Sequence, residues 1–126
     1  MRDEQVRRYA RHILLHDVGG LGQTHLMVAA TRVAVDGEPS ASLVAATYLA
    51  AGGVGTIVVA GASDAQRAEL AAHGPDTKIV ETGDAKDLPI EGSPHWWPSA
   101  EGDATALAFW RGATAATRWM AAIANR

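Results

Sequence analysis

Two short strand-like segments joined by one helix-length segment limit the possible fold more than any other feature of this sequence. Residues 32–35 and 56–60 have the apolar, partly β-branched composition of buried strands. Between them, a turn at residues 36–40 leads into a segment with helical periodicity, which ends at Gly52 and Gly53 as many helices do. Strands linked by a crossover of this length are parallel, so the pattern predicts a right-handed βαβ unit.

The segments around this unit are predicted to be short helices, one further strand and one loop. Apolar periodicity, glycine punctuation and proline content distinguish them. In chain order the predictions are a helix at 6–16, a glycine-rich turn at 17–22, a helix at 23–30, a helix at 64–73, a strand at 78–81, a loop at 83–102 and a final helix capped by Asp103.

These elements predict a single domain of 126 residues, long enough to bury about two thirds of its unfolded surface. The expected fold class is α/β: a minimal Rossmann-like domain of three layers, with a short, mostly parallel sheet flanked by helices and an N-terminal helical hairpin. Its parts are the N-terminal helices at 1–30, a βαβ core at 31–82, the loop at 83–102 and the C-terminal helix at 103–126.

Composition and charge exclude several classes of function. The formal net charge is −3 with basic and acidic residues interspersed, so the chain has no basic stripe for a nucleic-acid backbone. The absence of cysteine excludes disulfides, thiolate nucleophiles and cysteine zinc sites. The apolar runs are short and the N-terminus has no signal-peptide pattern, so we expect a cytoplasmic protein without a membrane or nucleic-acid partner.

Several motifs follow one another in a specific order. They are RYARH at residues 8–12, GGLGQTHL at 19–26, the strand at 32–35 and YLAAGGVGTI at 48–57. This series is similar to the ubiquitin-activating-like family (ThiF, MoeB, HesA), with its R-Y-x-R-Q, G-x-x-G-Q-x-x-L and Y-L-A-x-A-G-V-G-x-I signatures. The resemblance covers roughly residues 5–60, and residues 112–122 more weakly resemble the family's last helix. The part that carries the catalytic residues in full-length members is shortened beyond recognition here.

The resemblance places a nucleotide loop at residues 37–42, where the sequence has lost the required residues. Such a loop needs glycines so that the backbone turns tightly and aims N–H groups at phosphates. Of three glycine positions only Gly37 remains; Pro39 removes an N–H donor and Ser42 takes the third place. Glu38 adds a carboxylate where phosphates would lie, which opposes their binding by Coulomb repulsion. We therefore expect no cofactor, although the Ser40 and Ser42 hydroxyls leave open an altered mode of nucleotide binding.

Two further positions bear on nucleotide binding. The acidic residue that contacts ribose in such folds falls on Gly61, and Asp64 three residues later is expected to cap a helix instead. The glycine-rich segment at 19–22 resembles a phosphate loop, but it follows a helix rather than a strand and is predicted to be a turn. His12 and His16 share a helical face without a third ligand nearby, so no metal site is expected.

Other residues are candidates for contacts with a partner. The resemblance implies that Arg11 corresponds to the arginine that family members insert into the partner subunit's nucleotide site; an exposed helix charge is the alternative. Tryptophan commonly anchors interfaces, so Trp96, Trp97 and Trp110, together with Tyr9, are candidate partner contacts. The tryptophan-rich loop could equally fold back over an alanine-rich core, and both alternatives stay open.

The function expected from this reasoning is that of a pseudoenzyme: a dimeric, non-catalytic binding or scaffold module. The resemblance implies a homodimer or a heterodimer with a family relative, in a pathway of ubiquitin-like proteins or sulfur carriers. The alternative is the inactive subunit of a heteromeric adenylating enzyme, with Arg11 completing a catalytic partner's ATP site.

Overall fold

A computed structural model describes residues 1–9, 19–37, 39–93 and 103–126. Helices and strands alternate through the middle of the chain, and a long helix ends it. The elements in chain order are α1 Asp3–Arg8, α2 Gly19–Val28, β1 Ala30–Ala34, α3 Ala41–Ala51, β2 Thr56–Ala60, α4 Asp64–His73, β3 Lys78–Val80 and α5 Ala104–Ala124.

The three strands form a parallel sheet in the order β1-β2-β3. Val33 pairs with Val59, and Ile57 pairs with Ile79, so these side chains share one face of the sheet. That face is packed, because Val33, Ile57 and Val59 belong to one buried cluster with residues of α2, α3, α4 and α5. The structure is therefore mixed α/β with a short parallel sheet, and it is compatible with a small Rossmann-like domain.

The opposite face of the sheet carries Arg32, Val58 and Val80, which are paired across the strands. Val58 is buried but lies outside the main core cluster, and the segment around Gly83 approaches it closely. The helix residues of the buried cluster pack together with Val33, Ile57 and Val59 on the first face. The predicted third layer stays a prediction.

Local capping explains where the helices begin. The Ser40 hydroxyl accepts a hydrogen bond from the Leu43 N–H (3.2 Å), and Asp103 caps α5 through the N–H groups of Thr105 and Ala106. Small residues then allow α3 and α5 to pack closely: a Cβ on Gly112 would lie 2.7 Å from Val44 Cβ. The core is thin because much of this interface is alanine.

Several predicted boundaries are confirmed and others are wrong. β2 and α4 match the predicted residues, and the predicted cap of α5 is correct. The predicted turn at 17–22 is wrong in its described part, because α2 already begins at Gly19. Ser63, rather than Asp64, caps α4, since its hydroxyl accepts from Gln66 N–H in a capping box. The described loop from residue 81 onward also forms one parallel bridge with β1.

Candidate functional site

The turn between α3 and β2 is closely packed and lies within the region that resembles the family. Gly53 has φ +81° and closes α3 with two hydrogen bonds, from Gly53 N–H to Ala50 O (3.1 Å) and from Val54 N–H to Leu49 O (3.2 Å). This is a Schellman ending, which requires a left-handed residue and therefore favours glycine. The turn brings the chain to the amino-terminal edge of the sheet.

The first two motifs meet at this turn. The ring of Tyr9 lies against Gly53 so closely that a Cβ there would be 2.6 Å from Tyr9 Cζ. The Gln23 side chain donates a hydrogen bond to Gly52 O (2.9 Å) and is fully buried. We call this contact, together with Asp76, the glycine junction. It joins parts of three motifs that are far apart in the sequence.

Asp76 completes the glycine junction from the segment before β3. Its carboxylate accepts hydrogen bonds from the Tyr9 hydroxyl (3.0 Å), from Arg2 (3.2 Å) and from Arg8. The carboxylate is only 13% exposed, so it depends on these partners for the stabilisation that water would otherwise provide. Helix α1 is thereby attached to the rest of the domain through one acidic group.

The same contacts shift the protonation of two side chains in the junction. Burial raises the pKa of the Asp76 carboxyl, but hydrogen bonds from Tyr9 and Arg8 outweigh it, and the net pKa lies below its ordinary value. Burial and the hydrogen bond to Asp76 raise the pKa of the Tyr9 hydroxyl. At neutral pH the pair is therefore a neutral phenol donating to a carboxylate.

The predicted nucleotide loop lies at the opposite, carboxyl-terminal edge of the sheet. Gly37 adopts φ +67° in the turn after β1, and Pro39 is exposed beside it. Ser40 is buried and its hydroxyl accepts from Leu43 N–H as the cap of α3, while Ser42 is half-buried in the first helical turn. Glu38 lies outside the described residues. The helix start that would face a phosphate in a nucleotide site is thus capped by the chain's own serine.

A cleft of about 400 Å³ opens at this edge, between the start of α3 and the start of α5. We call it the carboxyl-end cleft. Arg111 brings a positive charge to it, and Asp36 brings a negative one. Arg111 is held in place by a hydrogen bond from its Nε to Gly92 O (2.6 Å). The carboxyl-end cleft is also lined by Pro39, Ala41, Ser42 and Leu107.

The remaining nucleotide-related positions are also placed by the structure. Gly61 follows β2 with φ +78° and is exposed, so the place of the ribose-binding acid carries no side chain. Asp64 is exposed and forms an ion pair with Arg67 one turn later in α4. Neither residue lines the carboxyl-end cleft.

The candidate partner residues fall into two groups. Arg11, Trp96 and Trp97 lie outside the described residues, as do His12 and His16. Tyr9 is 2% exposed, so its ring is used inside this chain and offers almost no surface to a partner. Trp110 is half-buried on α5.

Sequence reasoning missed the residues that hold each edge together. Asp76 is 67 positions from Tyr9, and nothing in the short turn after Gly74 and Pro75 marks it as the partner of a distant tyrosine. Arg111 had a weak signal, because it is a lone cation on the first half of an alanine-rich helix. No sequence signal indicated that the rings of Tyr48 and Phe109 are in contact. They meet edge to face on the surface of α3 and α5, with centroids 5.9 Å apart.

The described residues offer neither a metal site nor a membrane span, and the chain matches no family model. Within the described ranges no group of three or more histidine, aspartate or glutamate side chains is arranged to hold a metal ion. No helix of the described parts combines the length and apolar character needed to cross a membrane. No protein-family model matches the chain, and no curated protein matches it.

Proposed function

We propose that this protein is a non-catalytic binding or scaffold module that resembles the ThiF, MoeB and HesA proteins. The observation that carries the proposal is the glycine junction, in which Tyr9 and Gln23 from the first two motifs contact Gly52 and Gly53 from the last. Motifs that contact one another in the structure support a shared Rossmann-like ancestry more strongly than sequence similarity alone. The finer Rossmann-like assignment, including a third layer, belongs to this proposal.

The contrast with the nucleotide loop supports the absence of catalysis. A phosphate at the start of a helix binds the free N–H groups of the first turn. In α3, the Ser40 hydroxyl already accepts from Leu43 N–H, and Pro39 has no N–H to offer. Asp36 places a carboxylate in the same cleft, where it would repel a triphosphate. The scaffold is thus intact where it packs and altered where it would bind ATP.

A dimer is part of the proposal, either a homodimer or a heterodimer with a family relative. The tryptophan-rich loop with Trp96 and Trp97 is the proposed contact for a further protein. The surface pair of Tyr48 and Phe109 is a second apolar feature available to a partner, because Phe109 is 53% exposed. Tyr9 is left out of this set since it is buried within the chain.

The alternative function is that of an inactive subunit which completes the ATP site of a catalytic partner. In that case Arg11, three residues after the end of α1, would supply the positive charge in trans. The attachment of Tyr9 to Asp76 supports it to the extent that it fixes Tyr9, the residue after α1 and two positions before Arg11 in the sequence.

Non-denaturing mass spectrometry of the protein purified from its native host, followed by titration with ATP and magnesium, tests both proposals. A homodimer that ignores ATP supports the scaffold. Co-elution with a larger relative, in a complex whose ATP affinity falls in Arg11→Ala but not in Arg7→Ala, supports the inactive subunit. Arg7 is a matched control, since it is an exposed arginine at the end of α1. A homodimer that binds ATP would contradict both and favour the altered nucleotide mode.

A further inference from the structure

Residues 86–92, which we call the strap, run along the outer edge of β1. Arg32 N–H donates to Lys86 O (3.0 Å), and Leu88 N–H donates back to Arg32 O (2.8 Å). These two bonds place the strap where a fourth parallel strand would lie, but they form only a single bridge. The strap therefore occupies a sheet edge without being a full strand.

The side chains of the strap alternate as those of a bound extended peptide do. Leu88 is 6% exposed and belongs to the core cluster, and Ile90 packs against the same cluster. The residues that alternate with them, Asp87, Pro89 and Glu91, are exposed. Alternate side chains thus fill apolar positions while the others face solvent, which is the pattern by which sheet edges select extended peptides.

Two arginines of the surrounding scaffold hold the strap near its ends. Arg32 of β1 forms an ion pair with Asp87 (2.8 Å), and Arg111 of α5 donates to Gly92 O (2.6 Å). These contacts define what this edge accepts: an acidic residue, then aliphatic residues at two alternate positions, then a backbone carbonyl within reach of a guanidinium.

The strap leaves unfilled space on both of its sides along the edge of β1. In a parallel ladder the next β1 residue facing this edge is Ala34, and the described backbone hydrogen bonds give its N–H no partner. A cavity of about 240 Å³ opens there, between Ala34, Ser42 and Ile90. A second one of about 300 Å³ lies on the other flank, between Pro89 and Trp119. A longer or better-fitting peptide could therefore add hydrogen bonds and apolar contacts that the strap lacks.

We propose that the outer edge of β1 is a binding groove for an extended peptide of a partner protein, and that the strap is its built-in occupant. The partner segment has the chemistry of the strap, acidic and then aliphatic at alternate positions, and it displaces residues 86–92. This inference deepens the proposed function, because it names a class of partner for the binding module. The choice of a partner protein rests on that proposed function. The groove itself is argued from β1, α5 and the strap.

An internal occupant lowers the apparent affinity for an external peptide, because the peptide binds only the fraction of molecules in which the groove is free. Weakening the strap must therefore strengthen peptide binding. The probe is a fluorescent peptide with the sequence of residues 86–92, and its control is the same peptide carrying Leu88→Ser and Ile90→Ser. Binding is measured by fluorescence polarisation.

In the chain variant Ile90→Asp we expect the probe to bind at least about tenfold more tightly than to the wild type, because a partly buried aliphatic anchor that packs against the core is lost from the strap. The control peptide should bind neither chain. Asp87→Lys, which alters only an exposed side chain and reverses its charge beside Arg32, should give a smaller gain of about threefold.

Variants that unfold cooperatively but bind the probe no better than the wild type would overturn the proposal. If Ile90→Asp does not fold, the same criterion applies to Asp87→Lys. If Ile90→Asp chains dimerise and then ignore the probe, the occupant is a second copy of the chain and the peptide assignment is wrong. Each of these failures leaves the result of the ATP and mass experiment unchanged, so the two proposals fail separately.

Discussion

The two edges of the sheet are built in opposite ways. At the amino-terminal edge, the glycine junction packs Tyr9 directly on the backbone at Gly53 and ties α1 to Asp76. At the carboxyl-terminal edge, Gly37 lies in open space and a cleft of about 400 Å³ opens between the first turns of α3 and α5. The motifs that resemble an ATP-using family thus meet at the closely packed amino-terminal edge. The carboxyl-terminal edge, where a nucleotide would bind in that family, contains an open cleft.

Under the proposed function, this difference indicates which sequence features would persist after a nucleotide site is lost. A close contact depends on the exact volume of each residue, so any change there lowers the stability of the fold. The residues that line a cleft are not restrained in volume in this way once no ligand binds there. Under the proposed function, Gly53 is kept by packing and Pro39 is tolerated because nothing packs on it.

The largest predicted effect comes from adding one methyl group at each edge. Gly53→Ala forces a β-carbon into the left-handed region, costing about 1–2 kcal/mol, and also against Tyr9, costing about 1–3 kcal/mol more. Gly37→Ala meets only the first cost, because no atom lies within 4 Å of its β-carbon. Urea unfolding should therefore separate the variants by about 2 kcal/mol. Equal losses would mean that the two edges are packed alike.

The second prediction concerns the charge at the centre of the junction. Asp76→Asn should lower the free energy of unfolding by about 2 kcal/mol at neutral pH, since several donors lose a buried carboxylate. Asp87→Asn is the control: its carboxylate is 75% exposed in a single ion pair, so a loss below about 0.5 kcal/mol is expected.

The pH dependence of the same variant checks the cause. The pKa of Asp76 is lower in the folded chain than its ordinary 3.8, so its contribution is present above that pH and lost as the pH falls through the folded pKa. Unfolding of wild type and Asp76→Asn, measured by circular dichroism from pH 7 down to about pH 2, should converge at the acid end. Parallel curves would show that the asparagine acts through packing rather than through charge.

How much could be predicted from the sequence also differs between the edges. β2 and α4 were predicted at their observed bounds because a β-branched run and a helix closed by Gly74 and Pro75 are strong local signals, although the cap is Ser63 and not Asp64. The need for glycine near residue 53 follows in the same way from a helix ending. The role of Asp76 could not be predicted, because it depends on a contact across 67 residues.

The start of α2 shows the limit of local signals most clearly. Three glycines within residues 19–22 indicate a turn by propensity, yet they form the first turn of a helix. Gly22 and Gln23 are buried, and Gln23 bonds to Gly52 O, so tertiary contacts outweigh the weak helix propensity of glycine. The carboxyl-end cleft was predicted only as a damaged loop, because Arg111 reaches it from a distant helix.

A third prediction isolates the hydroxyl of Tyr9 from its ring. Tyr9→Phe keeps the contact with Gly53 and removes only the hydrogen bond to Asp76, so a loss of about 1 kcal/mol is expected. Burial raises the pKa of Tyr9 above its ordinary 10.0, so the contribution is present below that pH and lost as the pH rises through the folded value. The wild type should therefore lose stability in alkali while Tyr9→Phe does not. A phenylalanine variant with the same alkaline slope would point to another titrating group.

The smallest predicted effect lies in the carboxyl-end cleft. Arg111→Ala removes the hydrogen bond to Gly92 O, but the side chain borders an open cleft and leaves no closed cavity behind. We expect a loss of about 0.5 kcal/mol in urea unfolding, and Arg111→Lys should recover little of it because the Nε donor is missing. The comparison of edges depends on this order: if Arg111→Ala costs more than Tyr9→Phe, the cleft is held as firmly as the junction. Arg111 would then organise the start of α5 and the strap together, rather than only border the carboxyl-end cleft.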